Sequence, residues 1–240
     1  GANNTHVGYA AGQGISGVPA AGDNNTTVGA NAGLLLQGAA TGNTFVGALS
    51  GDATTTGVRN TAIGHQSFST NSAGDFNTAL GRDALFNNTT ADSNTGVGYG
   101  SLYTNAEGTA NVAVGYNALD ANTVSNNTAV GYDSLGSNTT GTGNTAVGKD
   151  AGEFATTADA STFIGFQAGQ GITGVKLTGN DNTAVGASAG LLLQGTATQN
   201  TLIGALAGDA LTTGSDNTVV GKSALSAGAA SFYNTAIGHN

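Results

Sequence analysis

The chain has 240 residues and a formal net charge of −9, with only five Lys and Arg, which argues against binding a phosphate backbone. A hydrophobic share of 38% with 8% charged residues argues against disorder, and 41 Gly without a three-residue period exclude collagen. Cys, Met and Trp are absent, and no apolar run approaches the ~20 residues of a membrane-spanning helix.

The first element is Asn4-Thr5-His6-Val7-Gly8, and it returns to the end of the chain, where Asn234-Thr235-Ala236-Ile237-Gly238 is the last of 14 copies. The closing Gly of the copies between stand at 29, 47, 64, 81, 98, 115, 131, 148, 165, 186, 204 and 221. The step from one to the next is mostly 17, as from Gly64 to Gly81 and from Gly81 to Gly98, with a few steps of 16, 18 or 21. A fixed period of this length is the mark of a repeat architecture. A longer period lies above it. Gly-Gln-Gly-Ile-Ser-Gly-Val at 12–18 returns as Gly-Gln-Gly-Ile-Thr-Gly-Val at 169–175, and Ala-Gly-Leu-Leu-Leu-Gln-Gly at 32–38 returns at 189–195. Gly8 maps onto Gly165 and Gly81 onto Gly238 by the same shift, so residues 158–240 restart the pattern of residues 1–83. Residues 1–240 read as one continuous repeat domain, a window of a longer protein.

Within each copy, Thr-Ala-Val has strand propensity and the Gly closes the strand. The residue before that Gly is always Val, Ile or Leu: Val7, Val28, Val46, Ile63, Leu80, Val97, Val114, Val130, Val147, Ile164, Val185, Ile203, Val220 and Ile237. These are expected to be the structural core of the strands. The Ala position, on the other strand face, is also mostly apolar, with Phe45, Phe163, Leu202 and Val219 among its variants. A strand apolar on both faces must be covered twice. Three residues past the Gly stands Ala or Ser, then Leu, Phe or Gly; the remainder reads as turns. The expected fold is an all-β parallel β-solenoid or β-roll of about 14 stacked coils, with coils ~4.8 Å apart. Fixing each residue of a coil costs ~1–2 kcal/mol of backbone entropy, whereas each buried Val or Leu returns ~1.5–3 kcal/mol. A lone coil cannot fold on those terms. Ladders of Asn and Thr and a second buried surface must supply the rest, so copies of the chain are expected to pack together into a homo-oligomeric fibre.

Asn-Thr-Ala-Val-Gly-Tyr-Asp-Ser-Leu at 127–135, Asn-Thr-Ala-Ile-Gly-His-Gln-Ser-Phe at 60–68 and Asn-Thr-Ala-Val-Gly-Lys-Asp-Ala-Gly at 144–152 resemble the head repeats of YadA-like trimeric autotransporter adhesins. Similar repeats occur in some phage tail fibres. The resemblance implies a left-handed parallel β-roll, three chains about one axis, and an adhesive or stalk-like role outside the cell or on a virion. The family's head repeats are shorter than these, and no stalk or membrane anchor is visible, so a membrane would be reached only through a part outside this window.

No motif points to catalysis, a cofactor or a metal. Gly12-x-Gly14-x-x-Gly17 and Gly169-x-Gly171-x-x-Gly174 match a dinucleotide fingerprint but lack the strand and helix it needs. Residues 143–150 nearly match a phosphate-binding loop without its final Ser or Thr, and Gly186-Ala-Ser188-Ala-Gly190 matches a nucleophile elbow whose Ser188 is Asn31 in the other block. His6, His65 and His239 correspond across the super-repeat to Phe163, Lys222 and Arg82, so none is a fixed ligand or base. Tyr99, Tyr116 and Tyr132 follow the Gly in three successive repeats and form a candidate binding surface, for a neighbouring chain or for glycans. Inserted loops at about 13–24 and 170–181 are further candidates. An ice-binding face is disfavoured because each strand offers one Thr beside a Val expected to point inward. The leading expectation is a structural extracellular fibre or adhesin shaft; the alternative is a receptor- or glycan-binding fibre using its loops.

Overall fold

A computed structural model describes residues 1–17 and 22–239; Val18, the single Pro19 and the middle of the first inserted loop lie outside the described residues. Among the described residues the chain is all-β, with fourteen three-residue strands and no helix. It divides into two compact units, Gly1–Asn117 and Ala118–Asn240. The first holds β1 (Thr5–Val7), β2 (Thr26–Val28), β3 (Thr44–Val46), β4 (Thr61–Ile63), β5 (Thr78–Leu80), β6 (Thr95–Val97) and β7 (Val112–Val114). The second holds β8 (Thr128–Val130), β9 (Thr145–Val147), β10 (Thr162–Ile164), β11 (Thr183–Val185), β12 (Thr201–Ile203), β13 (Thr218–Val220) and β14 (Thr235–Ile237). Within each unit every strand pairs parallel with the next in sequence. Each repeat position lies opposite itself, as Thr78 opposite Thr95 and Val147 opposite Ile164. Each unit is therefore a parallel β-solenoid with one strand per coil.

The strands stop after three residues because the chain then enters positive φ. In the coil of β5, Gly81 lies at φ 137°, Asp83 at 57° and Leu85 at 51°. The strand-ending Gly is required twice over. Its φ suits no L side chain, and a Cβ on Gly81 would stand 2.6 Å from the carbonyl oxygen of Gly98 in the next coil. The same collision recurs at Gly29, Gly47 and Gly165.

The core is built from the middle residue of each strand, the Ala or Ser three past the Gly and the Leu or Phe four past it. Ala79, Ala84 and Leu85 are fully buried, as are Ala129, Ser134 and Leu135. The left-handed conformation costs Leu85 and Leu135 roughly 1–2 kcal/mol each, which full burial at ~1.5–3 kcal/mol outweighs. Volume is balanced across this core. Where the strand residue is large, the fourth position is Gly: a Cβ on Gly51 would meet the Phe45 ring at 2.7 Å, and one on Gly169 would overlap the Phe163 ring. The balance also crosses coils. Gly152 follows Ala146, and its missing Cβ leaves room for Phe163 of the next coil at 2.6 Å.

This packing corrects the expected inside and outside of the strand. The single middle residue points inward, while the row from Val7 to Ile237 lies on the outward face with the Thr. Ile63, Val130, Val147, Ile164 and Ile203 are 36–43% exposed, and Val7 and Ile237 more so. The remainder of that row, Val28, Val46, Leu80, Val97, Val114, Val185 and Val220, is half-buried. A three-residue strand sends one side chain one way and two the other. The interior is already filled, by a Leu at the fourth position where the strand residue is small, as Leu85 beside Ala79, or by the strand residue itself where the fourth position is Gly, as Phe45 beside Gly51, so it does not admit the Val, Ile or Leu as well.

Two Asn columns join the coils from within. The residue before each strand is Asn in every copy but one, and it is buried in most coils. Asn77 donates its backbone N–H to Asn60 Oδ1 at 2.8 Å and its amide to the Ala91 carbonyl at 2.8 Å, and its Oδ1 accepts the Asn94 N–H at 2.9 Å. Ser161 is the exception, and its Oγ still accepts the Asn182 N–H at 3.2 Å. The second column includes Asn71 and Asn88, joined at 3.1 Å, and Asn122 and Asn138, joined at 2.8 Å. It stops at Ala155, which leaves Asn138 Oδ1 buried without a partner.

Candidate interaction surface

In each unit the outward strand face carries a column of Thr beside a column of Val, Ile or Leu; the Thr column is interrupted only by Val112 of the first unit. The residue after each strand-ending Gly forms one rim of this face; the residues just before the buried Asn form the other. The rims differ in charge. In the first unit the near rim holds His65 and Arg82, and the far rim holds Asp23, Asp75 and Asp92 together with Arg59. In the second unit the near rim holds Lys149, Lys222 and His239, and the far rim holds Asp159, Asp181 and Asp216. No acid stands on the near rim of either unit.

Tyr99, Tyr116 and Tyr132 all lie on the near rim, 44–46% exposed. In the first unit the Tyr99 and Tyr116 rings stack with centroids 5.2 Å apart and planes 14° from parallel, and the Arg82 guanidinium lies 5.9 Å from the Tyr99 centroid. In the second unit Lys149 Nζ sits 5.5 Å from the Tyr132 ring and 5.7 Å from the Phe166 ring. Arg82 also pairs with Asp83 at 3.2 Å, and Lys149 with Asp150 at 3.1 Å. Stacking turns one face of Tyr99 and one face of Tyr116 toward each other, which takes both of those faces out of reach of a ligand. A sugar ring seeks the open face. A second aromatic pair, Phe86 and Tyr103, stacks at 5.2 Å on another side of the coils. Sequence reading missed it, although Phe86 and Tyr103 hold the same repeat position in neighbouring copies.

The other sequence motifs take structural places. Gly169 faces the Phe163 ring, and the rest of its Gly-rich segment is a small excursion in which Ile172 bridges Val175. Leu177 returns the chain to the core, bridging Ala155 and Gly195. Lys149 of the phosphate-loop look-alike stands on the near rim. Ser188 occupies a left-handed turn at φ 54°. His6 shares a 2.7 Å hydrogen bond with Thr27 Oγ1, and burial holds its pKa below the ordinary value. Among the described residues no three His, Cys, Asp or Glu converge as a metal site. The Val row's outward direction removes the ground on which an ice-binding face was set aside, though each strand still contributes a single Thr.

Burial raises the pKa of two carboxylates on the coils, Asp52 and Asp120. Asp120 is pushed up to about 6, first by burial and then by the neighbouring Asp133 carboxylate. The folded state thus holds this proton more tightly than the unfolded chain, so stability falls as pH rises from ~4 through 6. Asp120→Asn is expected to raise the melting temperature at pH 7 by about 2–4 °C, equivalent to ~1 kcal/mol for a chain of this size once solvent screening is allowed for. The difference between variant and parent should shrink towards zero by pH 4 in thermal melts read by circular dichroism.

A scan of protein-family models, a search of curated proteins and a search of solved structures each found no match to this chain.

Proposed function

We propose that the chain is a structural element of an extracellular fibre or adhesin shaft, in which copies of it associate through the outward strand face. The observation that carries this reading is the aliphatic column on that face, unbroken within each unit and set between rims of opposite charge. A contiguous outward apolar strip is costly to leave in water and marks an association surface. The charges favour a second copy as its occupant. Rotation about the stacking direction brings the near rim of one copy beside the far rim of the next, so Arg82 meets the level of Asp75 and Lys222 that of Asp216. Chains running in opposite directions would set acid against acid. Complementary rims of this kind fix orientation more than affinity.

The test is Val130→Glu, Val147→Glu and Ile164→Glu combined, read by sedimentation. These side chains lie outside the coil core, so the far-ultraviolet spectrum should stay that of the parent. The parent should sediment as an oligomer and the variant as a monomer. A parent that stays monomeric at 100-micromolar concentrations, on the order of ordinary weak association, would overturn the proposal. Thermal hysteresis from such a monomer would assign the face to ice instead.

A further inference from the structure

We propose that Tyr99 and Tyr116 form a site of oxidative phenol coupling, which converts two stacked side chains into a covalent bridge between neighbouring coils. The chain has no Cys, Met or Trp, so its six Tyr are its most readily oxidised side chains. Their surroundings differ. Tyr9 and Tyr233 are more than 80% exposed, with no ring stacked on either among the described residues, and Tyr103 stacks on Phe86, which has no hydroxyl. Tyr99 and Tyr116 stack on each other at 5.2 Å, with nearly parallel planes and about 45% exposure apiece.

The backbone holds this pair in place. Asn117 N–H donates to the Tyr99 carbonyl at 2.9 Å, and Gly115 N–H donates to the Val97 carbonyl at 2.8 Å. Each Tyr follows a strand-ending Gly, and a Cβ on Gly98 would overlap the Gly115 carbonyl, so the two Cα atoms cannot drift apart or slip in register without unstacking the coils. With the ring centroids 5.2 Å apart, rotation about the side-chain bonds is enough to bring an ortho carbon of one ring to an ortho carbon of the other. Holding two reactants in such proximity makes their coupling intramolecular and fast relative to encounter between chains.

The chemistry balances with hydrogen peroxide as oxidant, consumed by a haem peroxidase that takes one electron from each of two phenols. Each phenol gives up one electron and its hydroxyl proton, leaving spin density on the ortho carbons. Two ortho carbons form one C–C bond. Each then loses its hydrogen as the ring regains aromaticity, and each oxygen is reprotonated. The sum is two phenols and one hydrogen peroxide giving one biphenol and two waters. The bridge runs from Tyr99 to Tyr116 and so closes a loop of a single coil.

The experiment treats the full chain with hydrogen peroxide and a haem peroxidase and follows biphenol fluorescence, intact mass and peptide linkage. Expected is a chain that has lost two hydrogens, runs as a single chain on a denaturing gel, and carries a 99–116 link formed at a rate independent of protein concentration. Tyr116→Phe should remove that product, whereas Tyr9→Phe, Tyr233→Phe and Tyr132→Phe should each retain it. The bridged chain should also melt at a higher temperature. Coupling confined to Tyr9 or Tyr233 and joining separate chains would show that exposure governs reactivity and would overturn the proposal. So would an undiminished intrachain product in Tyr116→Phe.

Discussion

Gly81→Ala is expected to break the stacking of its coil on the next. The residue sits at φ 137°, and the new Cβ would stand 2.6 Å from the Gly98 carbonyl oxygen and 2.7 Å from its carbon. Neither atom belongs to a flexible side chain, so the coils must part. The backbone strain costs about 1–3 kcal/mol and the overpacking a similar amount, for a total of roughly 2–6 kcal/mol. In a solenoid each coil contacts only its neighbours, so the damage should be local and should appear as new proteolytic cleavage between 81 and 98 together with a lower urea midpoint. Gly143→Ala is the control. It too has positive φ, at 70°, but its Cβ would find nothing nearer than Ala160 at 3.9 Å, and Ala160 itself adopts φ 51° at the same repeat position. That substitution should cost no more than about 1–2 kcal/mol. Equal losses at the two sites would refute the stacking argument and leave backbone strain alone as the cause.

Asn77→Ala is expected to lower stability by about 3 kcal/mol, or about 6–12 °C in melting temperature. The substitution removes the amide bonds to Asn60 Oδ1 and the Ala91 carbonyl and the acceptor for the Asn94 N–H. The Ala91 carbonyl keeps Asn88 at 3.0 Å, so the chief loss is a buried N–H without a partner. Asn77→Ser should cost less, because Ser161 shows a hydroxyl receiving the same N–H from the next coil. Asn77→Asp should cost more than Ser, since a carboxylate would face the Asn60 and Ala91 oxygens with nothing to donate. Thermal melts of the three variants should therefore keep Ser above both Ala and Asp; Ala matching Ser would mean the N–H finds water and the column adds little.

Much of this architecture can be read along the chain. A solenoid lays each repeat position over its own copy in the next coil, so the spacing of the Gly-ended repeats is also the register of strand pairing. The Gly after each strand is legible for the same reason: one backbone collision recurs from coil to coil, and only one residue type avoids it. The stacked pair Tyr99 and Tyr116 follows from shared position alone.

The direction of the strand face was beyond the sequence. Three residues are too few to display a period of two, and both Ala79 and Leu80 are apolar, so hydrophobicity favours the larger side chain for the interior. The structure decides otherwise because Leu85, beyond the strand along the chain, already fills that interior. Similarly, the space that Gly152 leaves is used by Phe163 of the following coil, a balance that exists only once the coils are stacked. Repetition therefore determined the fold class and the register from the sequence. Competition for a narrow interior, which is a property of volume shared between coils, decided which residues form the core and which remain on the outward face.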